Sequence, residues 1–187
     1  TGIVTLNFNK TNNVIYGKYE DIVITVSAVG AENATASFTV QAKCYAEDFM
    51  EEYTVTNIST TYGFVLQDDG YYESNNQKKS SSYCLCRVDF TTNSEHLYVD
   101  CIGEGEANYD FGILSKLDTE LSNNYNVDSE NVVQKSFKGN ASYNETVTYE
   151  VPDAGQHYIY IKYRKDSFNN VGKDCLRFRI RFLESEE

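Results

Sequence analysis

Gln156-His157-Tyr158-Ile159-Tyr160-Ile161-Lys162-Tyr163-Arg164, followed by Asp174-Cys175-Leu176-Arg177-Phe178-Arg179-Ile180-Arg181-Phe182-Leu183, decides the fold class. Ile159, Ile161 and Tyr163 point one way, as do Leu176, Phe178, Ile180 and Phe182. Tyr158, Tyr160, Lys162 and Arg164 point the other way, with Arg177, Arg179 and Arg181. Alternation with period two predicts an antiparallel pair with one buried face. The polar loop 165–173 is expected to close these two strands into a hairpin. Residues 146–151 read as a third strand, joined to the first of the pair through Asp153-Ala154-Gly155.

Composition extends the all-β reading outward. The chain has 187 residues, with 16 Tyr, one Pro and no Trp. Tyr, Thr, Val and Ile suit strands, whereas Asn and Gly suit turns. Hydrophobic residues make up 41%, enough for a packed core rather than a disordered segment. A formal charge of −12 argues against a nucleic-acid partner, because phosphate contact needs basic surface. No apolar run approaches the roughly 20 residues of a membrane span, so no membrane insertion is expected. The start at Thr1-Gly2 reads as a trimmed or mature fragment without a leader pattern.

Before residue 67 the apolar alternations are short: Val4, Leu6 and Phe8; Ile22, Ile24 and Val26; Phe38, Val40 and Ala42; Tyr53 and Val55. Polar turn stretches separate them. They suggest an Ig-like sandwich over 1–66, with a boundary at Asp68-Asp69-Gly70 and a polar lead-in, 73–82, to a second domain over 67–187; the alternative is that these strands join one larger sandwich with the rest. Strands are expected at 83–90, 96–102, 109–114 and 132–137. Residues 113–121 read as a strand running into one helical turn. The cysteines are Cys44, Cys84, Cys86, Cys101 and Cys175. Cys84, Cys86 and Cys101 sit on apolar faces and read as buried thiols, with disulfide pairing the alternative. Cys175 falls on the polar side. Cys84 and Cys86 lack the second pair that a zinc site needs.

Within the second half, several phrases recur as a set. They are Glu106-Ala107-Asn108-Tyr109-Asp110-Phe111, Ser136-Phe137-Lys138-Gly139, Gly155-Gln156-His157-Tyr158-Ile159, Tyr163-Arg164-Lys165-Asp166-Ser167 and Gly172-Lys173-Asp174. The set resembles a β-sandwich domain of tail and other virion proteins from phages of gut Firmicutes. The closing Lys-Asp, polar loop and Gly-x-Asp is also similar to jelly-roll domains of the MAM and cleaved-adhesin type. Cys175-Leu176 and Arg181-Phe182 depart from that pattern, where tryptophan and an acidic residue are common. The resemblance covers about 70–182 and implies a jelly-roll sandwich on a virion or cell surface. Adhesion to host glycans, or contact with other virion or surface-protein subunits, would be its task.

All five arginines are expected to share one face, because Arg87 lies on the polar side of 83–90 and would join the closing hairpin's face. Like charges on neighbouring strands need an anionic counterpart. One reading is a glycan surface made of Tyr158, Tyr160, Lys162, Arg164, Arg177, Arg179 and Arg181, with loop aromatics Tyr71, Tyr72 and Phe168. The other is internal pairing, with Asp89 and Glu150 as partners, or packing on an acidic subunit. Asp110 and Asp174, beside strand ends, are the candidates for a metal ion; no cofactor is expected beyond a structural calcium. No facing carboxylate pair, nucleophile elbow or phosphate loop stands out, so no enzymatic activity is expected. The expected function is that of a surface-displayed binding module. The alternatives are a structural virion or decoration protein, or an accessory domain of a secreted glycosidase.

Overall fold

The computed structural model describes residues 19–27, 35–43, 51–121, 126–167 and 170–183 of the chain. It falls into two units, Thr1–Phe49 and Met50–Glu187. In the first unit, β1 (Tyr19–Ser27) and β2 (Thr35–Lys43) form an antiparallel ladder. Ile22 stands opposite Val40 and Ile24 opposite Phe38, so the apolar positions share one register. Val4, Leu6, Phe8 and Cys44 lie outside the described residues, as does Phe168.

Among the described residues, the second unit holds ten strands: β3 (Glu52–Asn57), β4 (Phe64–Leu66), β5 (Tyr72–Ser74), β6 (Tyr83–Thr92), β7 (His96–Glu104), β8 (Phe111–Ser115), β9 (Val133–Ser136), β10 (Ser142–Glu150), β11 (Gly155–Arg164) and β12 (Cys175–Arg181). They make two antiparallel sheets, ordered β10-β7-β12-β5-β4 and β3-β6-β11-β8-β9. Both sheets contribute to one core. Leu176, Phe178 and Ile180 come from β12, Leu97 and Val99 from β7, Ile159, Ile161 and Tyr163 from β11, and Val88 and Phe90 from β6. Fully burying one such side chain stabilises the fold by about 1.5–3 kcal/mol. The chain is therefore all-β and sandwich-like, with inner faces as the alternation requires.

Four expectations change. First, β11 and β12 are not a hairpin: β11 pairs with β6 and β8, and β12 pairs with β7 and β5. Period two reports which face is buried, but two strands that bury matching faces can oppose each other across a sandwich. Residues 165–174 thus pass from one sheet to the other, and so does the segment between β10 and β11. Second, the unit begins at Met50 rather than at residue 67, since β3 pairs with β6 and β4 pairs with β5. Asp68-Asp69-Gly70 is the turn between β4 and β5. Gly70 takes φ +81°, and its N–H donates to the Gln67 carbonyl at 3.0 Å. Third, β8 ends in a plain turn at 117–118 rather than a helical one. Fourth, Cys175 is buried, 2% exposed, although it shares the arginines' parity. Cys84, Cys86, Cys101 and Cys175 are all buried free thiols.

Candidate functional site

Because β11 and β12 separate, the cationic face divides in two. On β12, Arg177, Arg179 and Arg181 point outward, as their spacing requires. Asp100 of β7 lies opposite Arg179 and serves two guanidinium groups. Its Oδ2 accepts from Arg179 Nη2 at 3.0 Å and from Arg181 Nε at 2.8 Å, and its Oδ1 accepts from Arg181 Nη2 at 2.7 Å. Arg181 foremost holds the Asp100 carboxyl well below the usual carboxylate range. Arg177 reaches Asp69 in the β4–β5 turn at 2.6 and 2.7 Å, and its Nε lies 3.2 Å from Glu73. The Tyr71 ring lies beneath Arg177 and Arg179, with centroid distances of 4.9 and 4.8 Å. Tyr72 instead stacks on Phe178 at 5.3 Å and packs against the core.

The outer face of the other sheet carries Tyr158, Lys162 and Arg164, with Arg87 opposite Tyr160. Arg87 therefore never joins the β12 arginines. It pairs with Asp89 at 2.6 Å and covers the Tyr158 ring at 3.8 Å. Asp128, from the segment between β8 and β9, holds Lys162 at 2.8 Å and Arg164 at 3.5 Å. Tyr160 is only 7% exposed, and its N–H donates to Ser115 Oγ at 2.8 Å. All five arginines thus have a carboxylate of this chain beside them. Internal pairing, with Asp89 among the partners, accounts for them without an outside anion.

His157 is buried at the start of β11. Burial opposes its protonation, but Asp118, at 2.6 Å from Nδ1, and Asp153 outweigh that and raise its pKa above the ordinary value. Asp118 also accepts the Tyr158 N–H at 2.8 Å, so the ring belongs to a structural clamp.

At one end of the sandwich, where 165–174 crosses between sheets, lies a buried polar cluster. Lys165 Nζ contacts Asp174 Oδ2 and lies 3.1 Å from Asp110 Oδ2, and all three side chains are wholly buried. Tyr163 Oη donates to Asp174 Oδ1 at 3.1 Å, and the Asp166 N–H donates to Asp110 Oδ1 at 2.8 Å. Burial raises the Asp110 pKa above its ordinary value. Asp110 and Asp174, the two metal candidates, are thereby engaged with an ammonium. Asp110 does approach Glu106 and Asp166, with one oxygen from each within 4.8 Å of the others. Three such oxygens fall short of the roughly six to eight that calcium takes. Asp174 does not belong to that group.

Among the described residues, a concave feature lies elsewhere, between 59–62, to which the sequence reading assigned nothing, and the end of the polar lead-in. Residues 59–62 and 80–83 line a hollow of about 340 Å³. Its walls are Ser and Thr hydroxyls with Tyr62 and Tyr83. Both loops are braced from behind. Asn57 clamps the first, accepting the Phe64 N–H at 2.8 Å and donating to the Phe64 carbonyl at 3.0 Å. A Cβ on Gly63 would sit 2.6 Å from the Asn57 side chain, so only glycine admits this clamp. Buried Asn76 holds the second loop through Ser82 Oγ at 3.0 Å. The Lys165 N–H donates to the Ser82 carbonyl at 2.8 Å. Lys78 and Ser81 take φ of 57° and 54°, a left-handed backbone that tightens this loop. Tyr83 remains 49% exposed. Among the described residues no helix is long and apolar enough to cross a membrane. No family model matches the chain, and no curated protein shows significant similarity to it.

Proposed function

We propose that the second unit is a non-catalytic binding module of jelly-roll type, displayed on a virion or cell surface, that takes a neutral glycan in the hollow at 59–62 and 80–83. The observation that carries this reading is the hollow itself: hydroxyl-lined, flanked by two tyrosines and braced by exposed Asn57 on one loop and buried Asn76 on the other. Ser and Thr hydroxyls both donate and accept, which suits sugar hydroxyls. Tyrosine adds an apolar ring face with a polar tip. Preformed loops also reduce the ordering cost of binding. The arginines favour a neutral ligand over an anionic one, because each already lies beside an internal carboxylate.

Sheet crossings support the jelly-roll reading. The chain changes sheet at every connection in this unit except β4–β5 and β8–β9. Virion placement rests on the resemblance of the second half to phage tail domains. The test is a glycan array probed with the full chain. Retention of neutral glycans, lost in Tyr83→Ala and kept in Arg177→Ala, is the expected result. Retention of acidic glycans alone, lost in Arg177→Ala, would return the site to the guanidinium face.

A second reading, a structural virion subunit, is favoured by β4. It is the edge strand of its sheet, and Val65 and Leu66 are 46% and 56% exposed. An apolar edge invites strand addition from a neighbour. In that case Val65→Lys would impair particle assembly and leave glycan retention intact.

A further inference from the structure

We propose that Lys165 and Asp174 become joined by an intramolecular amide bond, formed once per chain by the fold itself, with Asp110 relaying the protons. The proposal stands on the buried geometry and does not depend on the glycan reading. Lys165 Nζ is held against Asp174 Oδ2, with Asp110 Oδ2 3.1 Å away, and none of the three side chains is exposed to water. Asp174 is fixed in a left-handed backbone conformation, φ 56°, immediately before β12. Its two oxygens have different surroundings. Oδ1 accepts from Tyr163 Oη at 3.1 Å, which suits the oxygen that is kept and carries negative charge during attack. Oδ2 faces Lys165 Nζ, which also reaches Asp110 Oδ2, and this suits the oxygen that leaves.

The step balances within the chain. As an ammonium and a carboxylate, the pair loses two protons from Nζ and one oxygen from Asp174. The Nζ–Cγ bond forms, the Cγ–Oδ2 bond breaks, and Oδ2 departs with both protons as water. Asp110 takes a proton from Nζ and returns it to Oδ2. Its carboxyl is disposed to hold that proton, because burial raises its pKa. No oxidant, nucleotide or metal is required. Two features favour an otherwise unfavourable condensation. The reactants are held in contact, which replaces a bimolecular encounter. Condensation also removes an ion pair from a dry site, where charges are costly. With Asp110 protonated, the product cluster carries no charge.

Intact-mass measurement of the denatured full chain tests the proposal. The wild type should be lighter than its sequence mass by one water. Trypsin should release residues 165–173 and 174–177 as one linked pair of peptides. Lys165→Met should restore the full mass. Asp110→Asn, which preserves size and a polar contact, should restore it too while keeping the β-sheet circular-dichroism signature. A wild-type mass equal to the sequence mass overturns the proposal, as does a water loss mapped to Asp69-Gly70 instead of the linked peptides. A linked Asp110→Asn chain overturns the relay role assigned to Asp110.

Discussion

Two ion clusters in the second unit are mirror images. On the outer face of β12, one carboxylate, Asp100, lies between two guanidinium groups, Arg179 and Arg181. Between the sheets, one ammonium, Lys165, lies between two carboxylates, Asp110 and Asp174. The first leaves an excess positive charge where Arg179 is 41% exposed, and water screens it. The second leaves an excess negative charge where nothing is exposed, so protonation or bond formation must remove it. The same count of partners therefore has different consequences. Outside, pairing engages both guanidinium groups and leaves a single, water-screened excess charge on a face that could otherwise have gripped an anion. Inside, it concentrates reactive groups.

The comparison breaks most readily at Lys165. Lys165→Met removes the proposed cross-link as well as the ammonium, strands two carboxylates in the interior and should cost at least about 3–5 kcal/mol in urea or guanidinium unfolding. Arg179→Met, the exposed counterpart, should cost no more than about 1 kcal/mol by the same measurement. Equal losses would erase the distinction between the two clusters.

Asp100 comes next. Asp100→Asn weakens charge-assisted bonds to two arginines and should cost about 1.5–3 kcal/mol at neutral pH. Its folded pKa is depressed, so its contribution is present above the unfolded carboxylate value and disappears as pH falls through the folded one. The wild type should therefore lose more stability than the variant on acidification, and the two curves should converge.

His157 gives a smaller effect of opposite sign. Its folded pKa is raised, so its contribution is fully present below the unfolded value and is lost as pH rises through the folded one. Unfolding midpoints followed from pH 5 to 9 should decline for the wild type around and above neutrality. His157→Gln should flatten that decline.

Alternation identified which residues of β11 and β12 turn inward, because burial of one face imposes period two. It carried no information about adjacency. Ile159 and Phe178 show the same pattern whether their strands lie side by side or across a core, so the shared arginine face did not survive. Asp69-Gly70 was readable as a hairpin turn from its chemistry, yet the polar run after it drew the domain boundary to the wrong side. Asp110 and Asp174 stood out as carboxylates beside strand ends, though as metal candidates, and nothing in the sequence pointed to Lys165 as their partner. Only the crossing of 165–174 between sheets buries them together. Ser80-Ser81-Ser82 likewise read as a lead-in, since a positive φ at Ser81 and the brace from Asn76 leave no periodic trace. A signal was present in the side chains, as Asn57, Asn75 and Asn76 flank both loops that form the hollow.

Glycan retention by Tyr83→Ala beside Arg177→Ala, on chains shown to unfold at matching denaturant concentrations, tests the central claim most directly. Loss of neutral-glycan retention in the tyrosine variant alone is expected, because the arginine is already engaged by Asp69 and Glu73. Retention that survives Tyr83→Ala and vanishes with Arg177→Ala would contradict it.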